Sequence, residues 1–174
     1  MDIKVNVNNA REIMSTLQLT QKQINQVSKR AVARTIAMTK TDMNRRAREL
    51  YTANAGEISK SMKIVKTGVS GIIVSSGSPL PLTAFKISPA KVTKTKKKLS
   101  AQIKRGGLKP IKRGFLIAKG PYQRTSLKQY PIKRLYGPSA PQMLGEESIL
   151  DSINEKATGN LEKRLIHEIG QVLK

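Results

Sequence analysis

The feature that most restricts how this chain can fold is an 88-residue segment, residues 58–145, which contains nineteen Lys and Arg and no Asp or Glu. Residues 1–57 carry ten basic and five acidic side chains, and residues 146–174 carry four and six. Like charges destabilise a compact state, so ordinary protein surfaces mix both signs. The segment therefore indicates a polyanionic partner, of which nucleic acid is the commonest.

The densest basic run lies between residues 91 and 113 and also contains Gly106-Gly107 and Pro110. Because it has few apolar residues to anchor it, we predict a loop or extended basic arm over residues 88–113. A disordered insertion with no role beyond charge is the alternative. The predicted DNA-contact residues are the cations of this run: Lys91, Lys94, Lys96, Lys97, Lys98, Lys104, Arg105, Lys109, Lys112 and Arg113.

Composition excludes several kinds of site. Two Phe, four Tyr and no Trp argue against a protein that reads RNA or single strands by stacking bases on aromatic rings. The absence of cysteine removes disulfides and thiolate chemistry, and one histidine, His167, cannot form a multi-histidine metal site. No phosphate-cradling GxxxxGK[ST] loop is present. Glu146 and Glu147 are better explained by the positive end of a helix than by acid–base catalysis.

We therefore predict that the protein is not an enzyme and uses no cofactor or metal. The sequence contains no run of about 20 apolar residues that could span a bilayer, and its first residues lack the order of a signal peptide. A soluble protein made in the cytoplasm, with no membrane partner, is the expectation.

Two helices are predicted from capping and periodicity. Thr20 and Gln23 have capping-box spacing at the start of a long helix expected over residues 20–51. The opposite face of this helix is basic, and whether it contacts solvent or DNA is left open. Ser139 and Gln142 form a second box before a C-terminal helix over residues 139–174, in which a break at Gly145 is left open. Its apolar stripe consists of Ile149, Ile153, Ala157, Leu161, Leu165, Ile169 and Val172.

Between the helices, residues 63–135 are predicted to form the sheet region. Residues 63–75 have strand–turn–strand chemistry, and Ile3, Val5 and Val7 alternate within an N-terminal strand or arm of residues 1–19. The whole chain, residues 1–174, is expected to be a single α+β domain. One long N-terminal helix and a C-terminal helix would pack on a small, mainly antiparallel sheet, with the basic loop or arm attached.

The string from Pro131 to Met143, PIKRLYGPSAPQM, holds no side chains suited to catalysis. It resembles the signature PI-x-x-LYGPS-x-P-x-M of the phage minor tail protein Z family, the tail completion proteins of lambda-like long-tailed phages. Other segments agree in order: Asn44-Arg45, Pro79 to Leu82 followed by Phe85, and the stretch GFLIA at 114–118. The resemblance covers about residues 20–170, although the stretch 121–130 lacks the glycine turn of a family hairpin.

The resemblance implies a non-enzymatic virion protein at the head-proximal end of the tail, assembled in the bacterial host cytoplasm. It implies an α+β fold, a sixfold ring, tail terminator and head-neck proteins as neighbours, and genomic DNA in the tail lumen. The basic arm would hold this DNA by phosphate contacts that do not read bases. The signature is expected at a contact with a subunit or neighbouring ring, through Pro131, Ile132, Leu135, Tyr136, Gly137, Pro138, Ser139, Pro141 and Met143.

Two other classes of protein share the high positive charge and the small size of this chain. A ribosomal or nucleoid-type nucleic-acid-binding protein is the main alternative, although the LYGPS string and the mildly acidic C-terminal helix argue against it. A basic protein that binds acidic partner proteins or membrane surfaces is a weaker one.

Overall fold

The computed structural model describes residues 2–5, 19–92 and 98–173. Four helices and nine strands lie within these ranges, which confirms the predicted α+β class. The helices are α1 (Gln21–Leu50), α2 (Ala55–Ser61), α3 (Ala140–Leu144) and α4 (Glu147–Val172). The strands are β1 (Asp2–Val5), β2 (Met62–Thr67), β3 (Ser70–Ser75), β4 (Lys86–Ser88), β5 (Ser100–Gln102), β6 (Lys109–Pro110), β7 (Gly114–Ile117), β8 (Gly120–Arg124) and β9 (Ile132–Arg134).

The chain packs as two compact units, each assembled from separated stretches of sequence. Unit 1 comprises residues 1–44, 62–76 and 144–174, and unit 2 comprises residues 45–61 and 77–143. Among the described residues the strands form three antiparallel sheets rather than one. The sheet β1-β3-β2 belongs to unit 1, and the sheets β4-β5-β6 and β7-β8-β9 belong to unit 2.

Helix α1 begins where its capping box predicts. The Thr20 amide donates to Gln23 Oε1 at 2.9 Å, and the Gln23 amide donates to Thr20 Oγ1 at 3.4 Å. These bonds satisfy amides that have no partner within the first turn of a helix. The observed helix, residues 21–50, confirms the predicted long N-terminal helix.

The core of unit 1 lies between α1, α4 and the first sheet. Val27 and Val32 of α1 pack in one cluster with Leu161 and Leu165 of α4. Gly71 of β3 lies so close to α1 that a Cβ there would stand 2.6 Å from Ile36 Cδ1. The predicted apolar stripe of the C-terminal helix is confirmed, because Ile149, Ile153, Ala157, Leu161 and Leu165 are all buried.

Most strand predictions in unit 1 are confirmed. β2 and β3 form a hairpin that pairs Met62 with Ser75 and Thr67 with Ser70, as expected for residues 63–75. β1 pairs antiparallel with β3, in agreement with the N-terminal strand. Val7, the last residue of that alternation, lies outside the described residues.

The C-terminal helix predicted over residues 139–174 is present, and it is interrupted at Gly145. Helix α3 ends at Leu144, Gly145 follows, and Glu146 has an extended backbone before α4 begins at Glu147. Glycine pays the largest backbone entropy in a helix, so it is a favourable place for the break. The second capping box is confirmed: the Ser139 amide donates to Gln142 Oε1 at 2.9 Å.

Unit 2 contains the remaining strands. β7 coincides with the short strand predicted near residues 114–118, and it pairs with β8. β8 pairs in turn with β9, from Tyr122 opposite Arg134 to Arg124 opposite Ile132. Residues 120–124 and 132–134 therefore form an antiparallel pair even though the connection between them contains no glycine.

Candidate nucleic-acid interface

The positive charge is concentrated in unit 2. This unit holds twenty Lys and Arg and two Asp and Glu, a net charge of +18, whereas unit 1 holds thirteen and nine, a net charge of +4. Both carboxylates of unit 2 already form ion pairs, Glu49 with Arg46 at 2.6 Å and Glu57 with Lys60 at 3.5 Å. Two carboxylates cannot neutralise twenty cations, so most of the positive charge of unit 2 is not balanced within the unit.

The structure brings most of the predicted DNA-contact residues to the surface of this unit. Lys94, Lys96 and Lys97 lie outside the described residues. Arg113 occupies a left-handed backbone conformation, with φ of 59°. The exposed members of the set are Lys91, Lys98, Lys104, Arg105, Lys109, Lys112 and Arg113.

The prediction that this run is a loop or arm is wrong for residues 100–102 and 109–110, which are strands. Strands β5 and β6 lie within it, with β5 paired to β4 and to β6. Leu99 is completely buried and Ala101 nearly so. The run has few apolar residues, but their spacing is typical of a strand with one buried face, because Leu99, Ala101 and Ile103 alternate with polar residues. The prediction of a loop considered the number of these residues and not their spacing.

Three cations from separate parts of unit 2 line a polar cavity of about 350 Å³. Arg48 comes from the last turn of α1, Lys86 from β4 and Arg105 from the segment after β5. Thr52, Asn54 and Gln102 contribute polar groups to the same wall, and the lining contains no Asp or Glu. We call this site the cationic pocket; an anion with several oxygens, such as a phosphate group, suits it chemically.

The backbone around the cationic pocket is held by hydrogen bonds from two directions. The Thr52 amide donates to the Ile103 carbonyl at 2.9 Å, and the Asn54 amide donates to the Ala84 carbonyl at 2.9 Å. The Lys86 amide donates to Thr52 Oγ1 at 3.2 Å. The turn that follows α1 is therefore joined both to β4, which carries Lys86, and to the segment after β5, which carries Arg105.

Arg105 is oriented by the C-terminal end of α1. Its amide donates to the Leu50 carbonyl at 2.7 Å, and its Nε donates to the Arg48 carbonyl at 3.0 Å. A cation at this position also compensates the partial negative charge of the helix end. Because the bond uses Nε, the terminal amino groups of the guanidinium can donate to the oxygens of a ligand. Lys104 is not among the residues that line the cationic pocket; its Nζ lies 5.4 Å from the centroid of the Tyr51 ring.

The LYGPS signature pairs with the other matched segment, residues 79–82. The Leu82 amide donates to the Leu135 carbonyl at 3.1 Å, and the Gly137 amide donates to the Leu80 carbonyl at 2.8 Å. Its serine caps α3 through Gln142. These intramolecular contacts explain much of the signature by folding alone.

Burial separates the predicted interface residues into two groups. Ser139 and Met143 are buried inside this chain, so the interface prediction is wrong for their side chains. Pro131 and Tyr136 are exposed, and Tyr136 lies under Arg134, whose Cζ is 5.8 Å from the ring centroid. The remaining members are half-buried: Ile132, Leu135, Gly137, Pro138 and Pro141.

Gly137→Ala is expected to destabilise the protein by about 1–3 kcal/mol, the usual cost of overpacking. A Cβ at this position would stand 2.4 Å from Cε2 of Phe85, a buried ring that cannot move aside without shifting its neighbours. Urea denaturation measures the change. Gly56→Ala is the matched control, since a Cβ there would meet nothing within 4 Å. Equal stability of the two variants would contradict the packing argument.

The groups considered for catalysis or metal binding all belong to the start or the body of α4. Glu146 is the residue before α4 and Glu147 lies in its first turn; His167 is exposed on the same helix. Within residues 19–92 and 98–173, no three His, Asp or Glu side chains are grouped so that they could hold a metal ion.

None of the helices in the described part of the chain is long and apolar enough to cross a bilayer.

Fold and site together define an α+β protein of two compact units, one of which is strongly basic and contains a cationic pocket. Comparison with family models, with curated proteins and with solved structures found no match to this chain.

Proposed function

We propose that this chain is a structural virion protein, a tail completion protein at the head-proximal end of a phage tail. In this role it forms part of the head–tail connection as one subunit of a ring, and it holds the genomic DNA by phosphate contacts that do not depend on sequence. The observation that carries the proposal is the concentration of eighteen net positive charges in unit 2. The LYGPS resemblance supplies the place in the virion.

Phosphate contact suits the chemistry of unit 2 better than base reading does. Duplex DNA carries one negative charge per about 1.7 Å of axis, and lysine and arginine bind its phosphates whatever the base sequence. The described part of unit 2 contains only short stretches of helix: α2, most of α3 and the last six residues of α1. A conduit through which a whole genome passes requires contacts of this sequence-tolerant kind.

The cationic pocket gives a specific test of phosphate contact. Arg48→Gln with Lys86→Gln is expected to lower the slope of log K against log salt by about 2, because each lost phosphate contact contributes about 0.9. Two duplexes of unrelated sequence should be affected equally. Fluorescence anisotropy over a salt series measures both quantities. Arg105 is left intact, since its bonds to α1 also support the fold.

Lys29→Gln with Arg34→Gln is the matched control. It removes two exposed charges from the same helix, at positions that belong to unit 1. A slope change as large as that of the pocket variant would show that DNA responds to total charge and would remove the pocket from the proposal.

The location of the chain in a phage particle tests the proposed place at the upper end of the tail and the proposed ring. A cryo-EM map of the upper end of an intact tail should contain this chain as a ring around the DNA path. A protein that binds RNA tightly as a monomer and is absent from tails would instead be a ribosomal or nucleoid-type protein.

A further inference from the structure

A second cavity in unit 2, of about 510 Å³, differs in chemistry from the cationic pocket. Its walls are mainly apolar and include Leu82, Ile103, Ile111 and Leu135, with the exposed Tyr136 at its edge. Lys104, Arg105 and Lys109 also line it, and no carboxylate does. We call it the apolar cavity. A complementary ligand would bring aliphatic side chains flanked by carboxylates, because the apolar walls favour the former and the cations the latter.

The outer face of α4 has this combination of side chains. Residues 155, 159, 162, 166, 170 and 173 follow one another at spacings of three and four, so they share one side of the helix. Ile166 is 72% exposed and Leu173 is 57% exposed. Glu155 and Glu162 are exposed on the same side. The buried stripe of α4 lies on the opposite side, so the outer face takes no part in the core.

Two positions on this outer face are glycine although no packing contact within the described part of the chain requires it. A Cβ at Gly159 or Gly170 would meet nothing within 4 Å, so the fold does not require glycine there. A glycine within a helix costs about 1 kcal/mol relative to alanine. An external surface that approaches the helix closely would account for both residues.

We propose that the outer face of α4 in one copy of this chain binds the apolar cavity of a second copy. Ile166 and Leu173 would enter the apolar walls, and Glu155 and Glu162 would face the cations at the edge. The two surfaces differ, so the contact is heterologous and repeats from copy to copy, as a ring requires. The inference rests on the proposed function for its repeating assembly and adds the two surfaces that meet.

Complementation between two defective variants tests the contact directly. Ile166→Glu with Leu173→Glu removes the α4 surface and keeps the cavity; Lys109→Glu with Tyr136→Glu impairs the cavity and keeps α4. Each variant alone is expected to lose at least tenfold in self-association, as measured by sedimentation velocity without DNA. An equimolar mixture contains one intact surface of each kind and should form a 1:1 dimer that grows no further.

The controls separate folding and DNA binding from association. Circular dichroism melts must show both variants folded, and Leu127→Glu, at a side chain 94% exposed outside the cavity, should associate like the wild type. The α4 variant keeps every cation, so its DNA salt slope should not change even if the contact proposal fails. A monomeric wild type, a mixture that stays monomeric, or a single variant that associates normally would each overturn the proposal.

Discussion

Substituting five neighbouring lysines by Gln is expected to reduce the affinity for duplex DNA by about a hundredfold or more at low salt and to flatten its salt dependence. The slope of log K against log salt should fall by about 4, because each neutralised phosphate contributes about 0.9. Affinity measurements over a salt series, on two unrelated sequences, provide the test. The substituted residues are Lys91, Lys94, Lys96, Lys97 and Lys98, which fall within eight positions of the chain.

A variant of unit 1 with the same charge change is the control. It carries five Gln substitutions at exposed cations, Lys22, Lys29, Arg34, Lys63 and Lys66. We expect its slope to change by less than half as much, since these residues lie outside the basic unit. Equal losses for the two variants would mean that DNA responds to net charge alone, and the basic run would have no particular role.

Leu99→Ala is expected to destabilise the protein by about 2–5 kcal/mol, the range for deleting a fully buried leucine side chain. Leu99 directly follows the lysine run and is completely buried. Its carbonyl accepts a hydrogen bond from the Ile111 amide at 2.8 Å. The residue thus anchors the basic run to the core of unit 2. Urea or thermal unfolding measures the loss.

Leu127→Ala is the control, because it makes the same substitution at an exposed leucine. Its side chain is 94% exposed, so the same chemical change should alter the free energy of unfolding by no more than about 0.5 kcal/mol. Leu99→Ala removes no charge, and the folded fraction of this variant should keep the wild-type salt slope. A stable Leu99→Ala protein would restore the interpretation of residues 98–113 as an unanchored arm.

Local signals in the sequence were sufficient to predict where the helices begin, but they did not predict the cationic pocket. Thr20, Gln23, Ser139 and Gln142 report on neighbours three residues away, so both capping boxes could be identified before any fold was known. The cationic pocket joins Arg48, Lys86 and Arg105, which are separated by 38 and 19 positions. Proximity of this kind depends on tertiary packing, and no periodicity in a single sequence encodes it.

The signature string shows a second limit of sequence reasoning. The sequence alone favours the interpretation of this unusual string of inert residues as a surface fitted to a partner. In the structure, Gly137 packs against Phe85, Ser139 caps α3 and Met143 is buried. The fold of this chain therefore requires many of the same residues. A sequence does not show whether the contact that restricts a residue type is made within the same chain or with another protein. Burial makes that distinction, and it leaves Tyr136 as the exposed member of the LYGPS string.

The interleaved order of the two units has a consequence for synthesis. Every residue of unit 2 precedes residue 144, whereas unit 1 requires residues 144–174 to be complete. On the ribosome, the basic unit therefore has all its residues available while the N-terminal part of α1 still lacks α4, which supplies Leu161 and Leu165 to its core. A chain that stops early would keep the polycation and lose the partner of the long helix, so C-terminal truncation removes much more than an exposed tail.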